Sequence, residues 1–313
     1  MKKNSCAMIF PGQGSQKVGM LAEFYSQYSC FAETFEQASE VLSYDLWTLV
    51  QQDPDQRLNL TEVTQPALLA SSVALWRVWC ELGGAKPDFV AGHSLGEWSA
   101  LVVAGVVAFA DAIKLVQLRG RYMQEAVPVG EGAMAAIIGL DDETILRICA
   151  DCSLDGIVAP VNFNAPGQVV IAGHASAVAK ASEGCKAAGA KRALPLPVSA
   201  PFHTVLMKPA AERLQQDLSA IVFNPPSIPL IHNVTADTEA SSEAIKALMV
   251  EQIYSPVRWV ECVHTLVDMG VGQALECGPG RVLAGLLKRI DPNITAHALE
   301  TEASMLSACE QLR

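Results

Sequence analysis

Residues 89–100 read Phe89-Val90-Ala91-Gly92-His93-Ser94-Leu95-Gly96-Glu97-Trp98-Ser99-Ala100, and Gly92, Ser94 and Gly96 fit the glycine-x-serine-x-glycine pattern of a nucleophile elbow. Such an elbow is a sharp turn from strand to helix. Glycines two before and two after the serine let the backbone pack tightly while the hydroxyl stands clear. The flanks supply the right context. Residues 88–91 form a short apolar run after Gly83, Gly84 and Pro87, read as a strand entered from a loop. Residues 100–110 are apolar or glycine without a charge, too short to cross a bilayer and about the length of a helix buried in a core. Ser94 is therefore the candidate nucleophile.

Working outward, the chain of 313 residues is 50% apolar and 18% charged, which allows a sizeable core in one large domain or two unequal ones. A net charge of −11 argues against nucleic acid or an anionic membrane as the main partner. The apolar run after the basic start lasts only over residues 6–10 before Pro11 and Gly12 stop it, too short for a signal peptide, so a cytoplasmic location is expected. The 9 cysteines are scattered and read as reduced core residues rather than a disulfide framework. Cys149 and Cys152 have zinc or redox spacing but no second pair and no histidine cluster, and no metal is expected.

Toward the N-terminus, residues 6–10 read as a strand and residues 11–16 as a glycine loop opening a helix near Val18. Lys17 stands where a dinucleotide fingerprint needs glycine or alanine, and no P-loop lysine follows. The remaining use is a turn that aims backbone N–H groups at developing negative charge. A long amphipathic helix is expected over residues 66–82, beside the elbow helix.

Over residues 111–126 one helix face carries Ala112, Leu115, Val116, Tyr122, Met123 and Ala126, with Arg119 as a lone cation among them. Its stem could pack while its head reaches water. The other reading is a partly buried guanidinium waiting for an anion, since a buried charge without a partner is costly. Arg121 lies on the polar face.

Between residues 127 and 198 the pattern is strand, helix, two strands, helix, strand, the split arrangement of a ferredoxin-like subdomain. It reads as an insertion, with a proline-interrupted loop over residues 199–204 returning the chain to the larger domain. Beyond it come a strand around His232, helices over residues 236–250 and 259–269, a strand at 273–276 and a closing helix at 282–290. Among histidines placed to act as base for Ser94, His203, His232 and His264 remain. His203 is favoured because it sits in a loop directly after a strand, where active-site residues of open α/β sheets gather. His232, inside an apolar strand, reads as a core histidine.

Several motifs together resemble one family: Phe10-Pro11-Gly12-Gln13-Gly14-Ser15-Gln16, Gly92 to Glu97, Arg119 to Gln124, Asn162 to Gln168, Phe202-His203 and Gly278-Pro279-Gly280. The chain resembles the malonyl-CoA:acyl carrier protein transacylases of type II fatty acid synthesis over essentially its whole length. The resemblance implies an α/β-hydrolase-like large domain, residues 1–126 and 199–313, with the inserted ferredoxin-like subdomain at 127–198. It implies Ser94 as the acylated nucleophile and His203 as its base, the backbone N–H groups of Gln13 and Leu95 as the oxyanion hole, and Arg119 as the ligand of the malonyl carboxylate. Gln252 would help hold the site, with His203 oriented by a main-chain carbonyl. The residues themselves offer no clear carboxylate to complete a triad. Malonyl-CoA and holo acyl carrier protein are the implied partners, and the transfer needs no cofactor. A serine hydrolase using the same elbow, and an idle scaffold that binds acyl carriers, are the competing classes.

Overall fold

The computed structural model describes residues 5–153, 156–198 and 200–312. Ser199, expected to open the loop between the two domains, and the basic start at residues 1–4 lie outside them.

The strand before the elbow does not stand alone. β1 (Ser5–Phe10) and β2 (Phe89–Gly92) run parallel, with Met8 opposite Val90 and Phe10 opposite Gly92. Together with β7 (Leu230–Ile231), β8 (Val271–Glu276) and β9 (Thr295–Ala298) they form a five-stranded parallel sheet in the order β7-β2-β1-β8-β9. β1 is buried on both faces, as a parallel sheet covered by helices requires. Met8 and Phe10 pack into the main core, and Ala7 and Ile9 into the cluster on the opposite face. The first face is covered by α4 (Thr61–Glu81), α5 (Leu95–Val103) and α6 (Phe109–Glu125), and the second by α11 (Trp259–Asp268) and α12 (Val282–Ile290). Three helices, α1 (Ala22–Gln27), α2 (Ser29–Leu42) and α3 (Leu46–Gln52), add an aromatic layer in which Tyr25 stacks on Trp47 at 4.2 Å.

The second sheet is antiparallel. β3 (Gly132–Ile138), β4 (Val158–Ala165), β5 (Gln168–His174) and β6 (Arg192–Pro195) lie in the order β4-β5-β3-β6, with α7 (Asp142–Cys152) and α8 (Ala175–Ala187) on one face. This is the strand order of a ferredoxin-like fold, and the β-α-β-β-α-β pattern in the sequence foretold it. A parallel bridge between Asn162 and Val257 ties β4 to the large domain. After it come α9 (Lys208–Ser219), α10 (Ser242–Glu251) and α13 (Glu302–Gln311).

Five readings change. The apolar run over residues 100–110 is not one helix: α5 starts at Leu95, directly on the elbow, and ends at Val103. Gly105, at φ +76°, closes it with a Schellman motif, its N–H bonding Val102 and that of Val106 bonding Leu101. The helix expected from residue 66 begins at Thr61 and is buried almost all round rather than amphipathic, because it is clamped between α2, α5 and α6. The first helix begins at Ala22 rather than near Val18, and α10 begins at Ser242, capped by Ser241, after a turn in which Ala236 takes φ +55°. Past residue 290 the sequence reading found nothing, yet β9 completes the sheet edge and α13 follows behind a Thr301–Ser304 capping box.

Candidate active site

The elbow works because two backbones nearly touch. A Cβ on Gly92 would sit 1.9 Å from the carbonyl carbon of Gly96, and one on Gly96 would sit 2.0 Å from the Phe10 carbonyl oxygen. Only glycine fits either place. Ser94 is left at φ 51°, ψ −104°, a conformation that side-chain-bearing residues rarely hold. His203 is likewise at φ 65°. Both strained residues meet: Ser94 Oγ lies 2.8 Å from His203 Nε2.

His203 Nδ1 lies 2.8 Å from the main-chain carbonyl oxygen of Gln252. A carbonyl only accepts, so Nδ1 carries the ring proton and Nε2 is left as the acceptor for the serine hydroxyl. No carboxylate is needed to set this tautomer. Burial pushes the His203 pKa from 6.5 down to about 3, with the Arg119 cation adding to the effect, so the ring is a neutral base at neutral pH. Of the other two candidate histidines, His232 is fully buried with Nδ1 2.7 Å from Glu97 Oε1, as a core histidine should be, and His264 is exposed.

Arg119 does not reach water. It is 1% exposed, which removes the snorkelling alternative. Its Nη1 donates to Gln65 Oε1 at 2.9 Å, and its Nη2 donates to Gln252 Oε1 at 3.0 Å and to Ser94 Oγ at 3.2 Å. Its Nε has no partner among the described residues. Burial lowers its pKa from 12.5 to about 10, partly opposed by the charge of Glu97. The guanidinium is held by neutral amides rather than neutralised by a carboxylate, which leaves its charge available beside the serine.

These groups line a cleft of about 110 Å³ with Gln13, Gln65, His93, Leu95, Met123, Met134, Asn162, Leu196, Val198 and Phe202. Leu95 is the first residue of α5, so its N–H has no partner within the helix and points out of its positive end. Gln13 follows Gly12, where a Cβ would come within 2.5 Å of the His93 carbonyl oxygen. The glycine loop thus rests directly on the elbow. Gln252 does not line the cleft; fully buried behind it, its NH₂ group donates to the Ser94 carbonyl at 3.0 Å and to Glu97 Oε2 at 2.6 Å. Asn233, another buried residue, accepts from the Ser94 N–H at 2.7 Å and donates to the Gly92 carbonyl at 2.7 Å. Sequence reasoning missed Gln65, Asn233 and the role of Glu97. Glu97 directly follows the second glycine of the elbow, three residues past the serine, and a carboxylate in an otherwise apolar helix start was the available signal.

A strained serine hydrogen-bonded to a neutral histidine, with a buried cation beside them at the carboxyl end of a parallel sheet, fits the class of serine acyltransferases of α/β-hydrolase-like architecture. The comparisons with known proteins agree. The acyl transferase domain family matches residues 7–290. The malonyl CoA-acyl carrier protein transacylase of Escherichia coli K12 is 56% identical over 304 residues, covering 97% of this chain and 98% of that protein. That of Bacillus subtilis 168 is 45% identical, covering 98% and 97%. Among solved structures, the corresponding transacylase of Coxiella burnetii superposes with a TM-score of 0.97 at 49% identity over 99% and 98% of the chains. A malonyl-transacylase in complex with its type II PKS acyl-carrier protein superposes with a TM-score of 0.97 at 57% identity, over 98% and 99%. The chain belongs to the malonyl CoA-acyl carrier protein transacylase family.

Proposed function

We propose that the protein moves a malonyl group from malonyl-CoA to the phosphopantetheine thiol of holo acyl carrier protein, for fatty acid biosynthesis, through malonyl-Ser94. His203 Nε2 takes the hydroxyl proton as Ser94 Oγ attacks the thioester carbonyl. The N–H groups of Gln13 and Leu95 hold the oxyanion of the tetrahedral intermediate. The C–S bond breaks and His203 returns the proton to the coenzyme A thiolate. The carrier thiol then gives its proton to His203, attacks the ester, and releases Ser94 as the same steps run in reverse.

The observation that carries the reading is Arg119 Nη2 at 3.2 Å from Ser94 Oγ. A carboxylate one methylene beyond the new ester carbonyl falls within reach of that guanidinium, whose fork suits it.

In this reading residues 1–126 and 199–313 form the catalytic domain and 127–198 the inserted subdomain. Among the described residues no helix is long and apolar enough to cross a membrane; this reading places the protein in the cytoplasm, alongside malonyl-CoA and the carrier protein. The test is to mix the protein with malonyl-CoA, look for the acyl adduct on Ser94 by intact mass and peptide mapping, then add holo carrier protein or buffer. Discharge by the carrier alone supports transfer, loss in buffer makes the protein a hydrolase, and no adduct makes it a scaffold.

A further inference from the structure

Glu97 plays no part in the chemistry above, yet it sits at the meeting point of the buried polar groups. It is the third residue of α5 and 1% exposed. Its Oε2 accepts from the Gln252 NH₂ group at 2.6 Å and from the Asn233 backbone N–H at 3.1 Å, and its Oε1 faces His232 Nδ1 at 2.7 Å. The Gln252 amide has two opposite ends: the NH₂ group only donates and the carbonyl only accepts. Arg119 only donates, so Gln252 can serve it only with Oε1 turned toward it, as observed at 3.0 Å. Turned by half a rotation, the amide would set donor against donor at Arg119 and acceptor against acceptor at Glu97. In a dry site such mismatches are expensive.

We propose that Glu97 is a positioning residue for anionic acyl groups: by fixing which way the Gln252 amide faces, it keeps the Arg119 guanidinium aimed at the acyl pocket beside Ser94. This rests on the malonyl-transfer reading and adds to it a residue that touches no substrate. The effect is separable from general support of the site. His203 is held by the main-chain carbonyl of Gln252, which is fixed at the end of α10 whichever way the side-chain amide turns. Loss of Glu97 therefore loosens the Arg119 side more than the Ser94–His203 pair, and anionic acyl groups suffer more than neutral ones.

Glu97→Gln provides the conservative rescue. A glutamine oxygen in place of Oε2 still accepts from Gln252 and Asn233, and its NH₂ group can donate to His232 Nδ1. The His232 ring can then carry its proton on Nε2, which has no partner among the described residues. Glu97→Ala removes the closest acceptor of the Gln252 NH₂ group, leaving it the Ser94 carbonyl at 3.0 Å.

The experiment measures acylation kcat/KM for malonyl-CoA and for acetyl-CoA in wild type, Glu97→Ala and Glu97→Gln, normalised to sites counted with a neutral serine-directed phosphonate. The malonyl-to-acetyl ratio should fall roughly 10–100-fold in Glu97→Ala and return to within about fivefold of wild type in Glu97→Gln. If Glu97→Ala does not fold, Glu97→Asp, whose carboxylate is drawn back from Gln252 by one methylene, is read the same way. An unchanged ratio in the alanine or aspartate variant overturns the proposal, as does a glutamine variant as unselective as alanine. A wild type that fails to take malonyl from malonyl-CoA sinks the functional reading itself, and this inference with it.

Discussion

The carboxyl end of the parallel sheet and the interior of the antiparallel subdomain are packed from different material. At the first, Glu97, Arg119, His203, His232, Asn233 and Gln252 are all between 0% and 4% exposed and joined by hydrogen bonds to the elbow. In the second, among the described residues from 132 to 195, no polar or charged side chain is buried; the core is Ile137, Ile145, Val169, Ile171 and their neighbours, with Cys149, Cys152 and Cys185. A buried polar network is tolerable only when its members satisfy one another, and it then fixes one geometry. An apolar core makes no such demand. The large domain thus buries the polar cluster around Ser94, whereas the subdomain contributes Met134, Asn162, Leu196 and Val198 as one wall of the cleft.

The contrast predicts a steep gradient of effects. Ser94→Ala should abolish the malonyl adduct while leaving the fold intact, since Arg119 keeps Gln65 and Gln252 as acceptors and His203 keeps the Gln252 carbonyl. His203→Ala should lower acylation by roughly 10²–10⁴-fold, the usual range for a general base. Single-turnover mass spectrometry reads both, and a surviving adduct in the alanine variant at 94 would move the nucleophile elsewhere.

The pH profile comes next in size. An exposed histidine loses its base form below about 6.5, whereas His203 is held down to about 3. Acylation kcat/KM should therefore stay flat as pH falls through 6.5 to about 5, with the decline displaced toward 3. In Arg119→Ala a cation that disfavours protonation is gone, so the acid limb should move up in pH. The same shift ties His203 to stability. The unfolded chain binds this proton below about 6.5 while the folded one does not, so the contribution is complete above that pH and is lost as pH drops toward 3. A wild-type limb centred at 6.5 would contradict the burial argument.

The smallest effect belongs to the subdomain core. Burial pushes the Cys149 thiol up to about 12, which leaves it inert. Cys149→Ala should reduce stability by ~1 kcal/mol, seen as a Tm shift of a few degrees, and leave kcat/KM for malonyl-CoA nearly unchanged. A large activity loss at constant Tm would mean that the subdomain interior reaches the chemistry after all.

How much of this was legible in the sequence follows the same divide. The elbow, the βαββαβ order and the cationic position in α6 are local: each is encoded by spacing within one stretch, and each could be read. Glycine spacing found Ser94, and helical periodicity placed Arg119 on an apolar face, although only the fold decided between a snorkelling and a buried guanidinium. The partners that hold these residues are not local. Asn233 and Gln252 lie 139 and 158 residues from Ser94, and nothing in their own neighbourhoods announces a hydrogen bond to it. His203 was likewise favoured by position alone, and the group its Nδ1 faces is a main-chain carbonyl, which carries no residue-type signal. β9 was missed because Thr295, Ala296, His297 and Ala298 form a half-exposed edge strand with little apolar pattern.

The central claim is that a buried guanidinium beside the nucleophile reads the acyl carboxylate, and kcat/KM for malonyl-CoA relative to acetyl-CoA in Arg119→Ala tests it most directly. A hydrogen bond to a charged group contributes roughly 1.5–3 kcal/mol. The ratio should then fall by at least about 10–100-fold at ~1.4 kcal/mol per decade, chiefly through loss of malonyl transfer. Arg121→Ala is the control, because Arg121 is exposed and pairs with Glu62 at 3.2 Å on the outer face of the same helix. Its ratio should match wild type. An unchanged ratio in Arg119→Ala, or an equal fall in both variants, would contradict the account.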